Sequence, residues 1–191
     1  MTIQIALLRG VNIGSSRRVP MADLRALLAS YGDVKTYLQS GNVVLESELA
    51  PGPLARELEA RLAAAFGFAV PVIVRSCAQL ADVVARDPFG ALALDPKRYQ
   101  VTFFENEPPP ELEAKLVGAA LPGERVQISG REIYASHPAG IARSDLAKLV
   151  ADRRLGGTAR NWTTVTALLE LAGALGASGS RRQQGSSRSS R

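Results

Sequence analysis

The order in which apolar patterns follow one another along the chain is the strongest constraint on its fold. Residues 3–8 (IQIALL) suit a buried strand, and Met21, Leu24, Leu28 and Tyr31 then recur at helical spacing behind Pro20. Residues 34–38 and 42–46 predict two short strands joined tightly around Ser40-Gly41. Leu54, Leu58, Leu62 and Phe66 form one helical stripe ending at Gly67, and residues 70–74 (VPVIV) predict a fourth strand whose Pro71 favours a sheet edge. The first half therefore reads βαββαβ. Ser76 and Gln79 have the spacing of a capping box for a helix that stops at Asp87-Pro88, and residues 89–98 read as a linker.

The same succession then returns. Residues 99–104 predict a strand, 110–120 a helix, and 125–129 with 132–136 a hairpin about Gly130. A helix begins at Ser144, a short strand spans 158–160, and a last helix carries Val165, Leu168, Leu169 and Ala172. The expected organisation is an α/β (α+β) chain with a first half at 1–75, a connecting helix and linker at 76–98, and a second half at 99–175. A disordered tail at 176–191 completes it. No residue-level repeat between the halves is visible in the sequence.

Charge is unevenly placed. The tail GASGSRRQQGSSRSSR holds four arginines and no acid, so removing them from the 23 basic residues leaves 19 against 18 acids. The net charge of +5 thus belongs mainly to the tail, whose Ser/Gly/Arg composition has little to bury. The longest apolar stretch, residues 63–74, is interrupted by Gly67 and Pro71, and nothing approaches the roughly 18 apolar residues of a membrane helix. With no signal-peptide pattern and a single cysteine, Cys77, a cytoplasmic location is expected, and Cys77 is expected to pack rather than react.

Several blocks, in order and spacing, carry a resemblance: LLRGVNIG (7–14), VPMADLRALL (19–28), YLQSGNVVLES (37–47), FGFAVPVIVRS (66–76), GIARSDL (140–146) and RNWTTVTALLEL (160–171). Together they resemble the uncharacterised bacterial family numbered 1697 among domains of unknown function, over residues 2 to 173. Asp145 and Thr163 depart from its usual pattern. The resemblance implies two ferredoxin-like βαββαβ halves with antiparallel sheets, and it assigns no activity and no cofactor.

In a βαββαβ unit the first and second strands run parallel with the third between them. The loop after strand one, containing Arg9, Gly10, Asn12 and Gly14, therefore meets the turn Gln39, Ser40, Gly41 and Asn42 at one sheet edge. Glycines permit positive φ, short amides bond a ligand or a neighbouring backbone, and Arg9 adds a fork of donors suited to phosphate or carboxylate. One reading is a site for a small anionic or nucleotide-like ligand. In the other, turn geometry demands the glycines while Asn12 and Asn42 tie the loops together. In the second half Arg143 and Ser144 share an edge with Arg160, Asn161 and Trp162, either as a second ligand-binding wall or as a helix cap, a core anchor and a salt bridge from Arg143 to an acid such as Asp152.

Other chemistry is sparse. The loop lacks the Gly-Lys-Ser/Thr of a Walker motif, and no spacing of Cys, His, Asp or Glu suggests a metal centre. His137, the one histidine, is expected on an exposed loop. A ferredoxin-like sheet also raises RNA binding through strand aromatics, for which Phe103, Phe104 and Tyr134 are candidates, although core packing suits them better. No residue pattern names a reaction. The alternatives to a small-ligand site are a nucleic-acid-binding module using the arginines and the tail, and a protein-interaction scaffold.

Overall fold

A computed structural model describes residues 1–14, 17–92 and 94–186, with side chains to Ser178. Its order is β1 (Thr2–Leu8), α1 (Met21–Leu27), β2 (Lys35–Tyr37), β3 (Asn42–Ser47), α2 (Pro51–Phe66), β4 (Val72–Ser76) and α3 (Cys77–Ala85), followed by β5 (Tyr99–Phe103), α4 (Glu111–Ala119), β6 (Arg125–Ser129), β7 (Glu132–Ser136), α5 (Asp145–Val150), β8 (Thr158–Asn161) and α6 (Trp162–Ser186). The strands form two four-stranded antiparallel sheets, ordered β2-β3-β1-β4 and β6-β7-β5-β8. Both halves are ferredoxin-like. Two compact units result, one of Met1–Leu80 with Ala167–Arg191 and one of Ala81–Thr166.

In the first unit, alternation along the strands sends Ala6, Leu8, Val43, Leu45, Val72 and Val74 to the face covered by α1 and α2, which contribute Leu24, Leu54, Leu58 and Leu62. Each buried leucine contributes about 2 kcal/mol of hydrophobic stabilisation, so the four-residue spacing in α2 decides which way that helix faces. Gly67 ends it in the left-handed region at φ 75°, its N–H bonded to the Ala63 carbonyl. Pro71 stands just before the edge strand β4, where a missing N–H costs the ladder nothing, and its carbonyl accepts from Arg9 N–H. The opposite face, with Ile5, Leu7, Val44, Ile73 and Arg75, is also buried. A Cβ placed on Gly176 of α6 would lie 3.5 Å from Ile3 on that side.

In the second unit Phe104, Ile133 and Ala135 pack against Leu112 and Leu116 of α4 and Leu146 and Val150 of α5. On the other face Tyr99, Val101, Phe103 and Tyr134 are buried, and the Tyr134 hydroxyl donates to the Val83 carbonyl of α3. These aromatics are core, so the sheet does not present them as a stacking platform for bases.

The register exposes a repeat that the linear sequence conceals. Ile5 pairs with Val44 and Arg75; Val101, at the equivalent place, pairs with Tyr134 and Arg160. Each last strand thus carries a buried arginine in its penultimate position, followed by a residue that caps the next helix. Ser76 Oγ accepts from Gln79 N–H at 3.2 Å while Gln79 Oε1 accepts from Ser76 N–H at 3.0 Å, the expected capping box. Asn161 Oδ1 accepts from Thr164 N–H at 2.9 Å. Single positions scattered between dissimilar side chains are invisible to sequence self-comparison.

α6 continues through residues 176–186, which were expected in the tail, because a helix anchored by buried Leu168, Ala172 and Leu175 extends more easily than one that must nucleate. Those anchors also place the helix from Ala167 onward with the first unit rather than the second. The remainder of the expected tail, 187–191, lies outside the described residues, as do Ser15 and Ser16 of the stretch tested for a Walker motif. Among the described residues no helix is long and apolar enough to cross a membrane.

Candidate functional site

At the first sheet edge the two loops meet as the topology requires. Asn12 Nδ2 donates to the Gln39 carbonyl at 2.7 Å and to the Val19 carbonyl at 2.9 Å, while Asn12 Oδ1 accepts from Val19 N–H at 2.8 Å. That amide is therefore wholly engaged in holding backbone, and Asn12 N–H adds a bond to the Arg17 carbonyl. Asn42, fully buried, donates to the Tyr37 carbonyl and to Ser40 Oγ, both at 2.9 Å. Gly41 is demanded by packing as well as by its φ of 70°, because an added Cβ would lie 2.6 Å from Leu8 Cβ and 2.7 Å from Val11 Cγ2. Its carbonyl accepts from Leu8 N–H. Asn12, Gly41 and Asn42 are thus the frame of the loops. We expect Asn12→Ala to cost about 2–3 kcal/mol in urea unfolding, since it leaves the Val19 and Gln39 groups without partners. A loss below a few tenths would mean water replaces the amide at no cost.

The frame supports an unusual backbone. Positive φ recurs at Gly10 (67°), Asn12 (56°) and Gly14 (68°), with Val11 and Ile13 between them outside that region. Where left-handed residues alternate with right-handed helical ones, successive N–H groups turn toward one side in a concavity that suits an anion. Among the described residues, no hydrogen bond occupies the N–H of Gly10, Val11, Ile13 or Gly14. Three arginines and no acid lie within residues 9–18. Arg9 is half-buried, and Arg18 is exposed. Arg17, at φ 55°, donates to the Ala69 carbonyl and sits over the Phe68 ring with a guanidinium nitrogen 3.7 Å from where a Gly10 Cβ would be. Gln39 and Ser40 are exposed beside them.

The second group of predicted residues is engaged otherwise. Arg160 is buried and donates to Thr158 Oγ1 and the Ala159 carbonyl, both at 2.8 Å; burial pushes its pKa down to about 10, which leaves it charged at neutral pH. Asn161 caps α6, and Trp162 is half-buried and stacked on Tyr99 with ring centroids 4.9 Å apart. Arg143 is exposed, and the salt bridge expected from it to Asp152 does not form: Asp152 pairs with Arg154 at 2.6 Å, two residues away and already held by the same turn.

His137 is not on an exposed loop. It is buried, with Nδ1 2.8 Å from Glu124 Oε1 and 3.2 Å from Ser144 Oγ. Ser144 caps α5 by accepting from Ala147 N–H, and Glu124 Oε2 accepts from Leu121 N–H. Burial pushes the Glu124 carboxyl up, but hydrogen bonds from Ser144, His137 and Leu121 outweigh it and hold the group below the ordinary glutamate value. Serine and glutamate meet the same ring nitrogen, whereas a serine-histidine-acid relay needs opposite nitrogens, so the cluster is built to hold the fold. Sequence reading missed it because the three residues are linked only by tertiary contact. The second unit also has a surface cavity of about 340 Å³, lined by Phe104, Glu105, Asn106, Glu107, Arg154 and Leu155; of the residues singled out in the sequence it contains only Phe104, itself buried in the core. Among the described residues no group of His, Cys, Asp and Glu could hold a metal ion.

Comparison with known proteins adds a family and a fold. A search of curated proteins finds no match. Among solved structures, the chain is similar to the conserved bacterial protein SP0830 of Streptococcus pneumoniae, with a TM-score of 0.74 and 22% identity over 90% of this chain and 98% of that one. Identity that low carries the fold alone. The family profile described as a protein of unknown function, DUF1697, matches residues 1–134, which span the whole first sheet and the strands β5 and β6 and end within β7; the chain belongs to that family.

Proposed function

We propose that the protein binds a small anion, a phosphate or carboxylate group, in the loop that follows β1. The observation that carries this reading is the backbone of residues 10–14, with positive φ at Gly10, Asn12 and Gly14, in which the N–H groups of Gly10, Val11, Ile13 and Gly14 carry no hydrogen bond among the described residues and three arginines lie within residues 9–18. Four amides and a guanidinium act on an anion as preorganised dipoles and charge, and the hydrogen bonds of Asn12 fix them beforehand. If the site performs chemistry, positioning and charge stabilisation are what this loop supplies.

Inorganic phosphate and pyrophosphate, titrated calorimetrically at constant ionic strength, test the reading. Saturable binding that weakens about tenfold or more in the double variant Arg17→Ala/Arg18→Ala is expected, because charge-assisted hydrogen bonds are worth about 1.5–3 kcal/mol each. Phosphate also stabilises proteins by exclusion from their surfaces, so an equal thermal shift in wild type and variant would count against a site.

A further inference from the structure

We propose that the anion taken by this loop is the head of an amphiphile, and that Ile13 and Leu38 hold its aliphatic body; the inference rests on the anion-binding reading above. After the N-terminal Met1, these two are the most exposed large apolar side chains among the described residues, at 73% and 59%. They come from different loops, yet the Asn12 to Gln39 hydrogen bond at 2.7 Å joins the residue next to each. The topology that brings the loops together therefore brings two aliphatic groups to the edge of the arginine-rich segment.

Leu38 is the more telling of the two. It has φ 56°, a conformation in which leucine is strained and glycine or asparagine is at ease. An exposed leucine in that conformation contributes no core packing in exchange for its strain, and strain of this kind collects where the side chain serves a ligand. Both residues are aliphatic rather than aromatic, which suits an alkyl chain and offers no stacking face to a base. The guanidinium of Arg17, lying beside Gly10, sets the charged end of the ligand next to the loop amides. A phosphate or carboxylate bearing an alkyl chain meets both features at once, whether it is a soluble amphiphile or the headgroup of a lipid.

The test compares methyl phosphate with octyl phosphate, kept below its micelle concentration, on wild type and on Ile13→Ser/Leu38→Asn. Octyl phosphate is expected to bind about tenfold or more tightly than methyl phosphate, the gain from covering one to two aliphatic side chains. In the double variant the two phosphates should bind equally, a ratio that does not depend on what the substitution at position 13 does to the phosphate end, and thermal stability should be kept, because Asn accepts the backbone at position 38. Flotation with vesicles containing phosphatidic acid separates the sources: co-flotation identifies a lipid headgroup, and its absence with octyl phosphate still bound identifies a soluble amphiphile. Equal affinity of the wild type for the two phosphates overturns the amphiphile and leaves the anion site standing. No binding of either overturns both, and a variant that loses stability would make the two side chains structural.

Discussion

Gly41→Ala is expected to lower the unfolding free energy by about 3 kcal/mol, through two effects that a companion substitution separates. At φ 70° an alanine is strained by about 1–2 kcal/mol. Its Cβ would also stand 2.6 Å from Leu8 Cβ and 2.7 Å from Val11 Cγ2, where neither atom is the free end of a flexible chain. Leu8 sits in the first core and its N–H is held by the Gly41 carbonyl, so β1 cannot retreat without breaking the bond that brings the loops together. Forcing atoms into a packed core costs about 1–3 kcal/mol more. Gly14 has nearly the same φ, 68°, with nothing within 4 Å, so Gly14→Ala carries the backbone strain alone and should cost about 1–2 kcal/mol. Urea unfolding of the two variants measures the difference. Equal losses would show that the close approach of Gly41 to β1 has no energetic weight.

Glu124→Ala should cost about 2–3 kcal/mol at neutral pH, because it leaves the buried His137 ring nitrogen and Leu121 N–H without their shared partner. The carboxylate serves Leu121 N–H with one oxygen and His137 with the other, in a site where water does not replace it. Glu124→Gln retains an acceptor and should lose less. Because the folded-state pKa is held below the unfolded value, Glu124 contributes its stability fully above the unfolded pKa near 4.5, and loses it as the pH falls through the folded value. The gap in unfolding free energy between wild type and Glu124→Gln is therefore expected to be constant near neutrality and to shrink below about pH 4.5. A gap that stays flat well into the acid range would show that the charge itself contributes nothing.

Both variants act on residues that hold the fold, and this reflects how the chain distributes its polar groups. In the first unit the buried amides of Asn12 and Asn42 hold turns, and in the second Glu124, His137 and Ser144 hold the end of β7 against the start of α5. Exposed in the first loops are Arg17, Arg18 and the two aliphatic side chains of Ile13 and Leu38. Of the residues expected as ligands in the first unit, Asn12, Gly41 and Asn42 form the frame that shapes the loop, Gly14, Gln39 and Ser40 are exposed, and Arg9 and Gly10 are half-buried.

Local pattern alone determined the order of elements. The apolar run at residues 3–8, the Leu54-Leu58-Leu62 stripe, the capping box of Ser76 and Gln79, and the hairpin about Gly130 each depend on interactions within a few residues, and each appears as expected. The meeting of the Arg9 loop with the turn at Gln39 was legible too, because the parallel relation of β1 and β2 follows from strand order. Other features required the tertiary structure. Whether Asn12 faced a ligand or a carbonyl depended on where residue 39 came to lie, and a lone histidine reads as loop until a glutamate thirteen positions earlier is folded against it. The buried arginines 75 and 160 became a repeat only when strand register aligned them. Contacts between distant segments depend on loop closure and shared burial, which no short window of sequence contains. For the loop at residues 9–14, the sequence determined its glycines and its meeting with the turn at Gln39, and the fold decided that the Asn12 side chain holds backbone while Ile13 is left exposed, because that depends on where residues 19 and 39 come to lie.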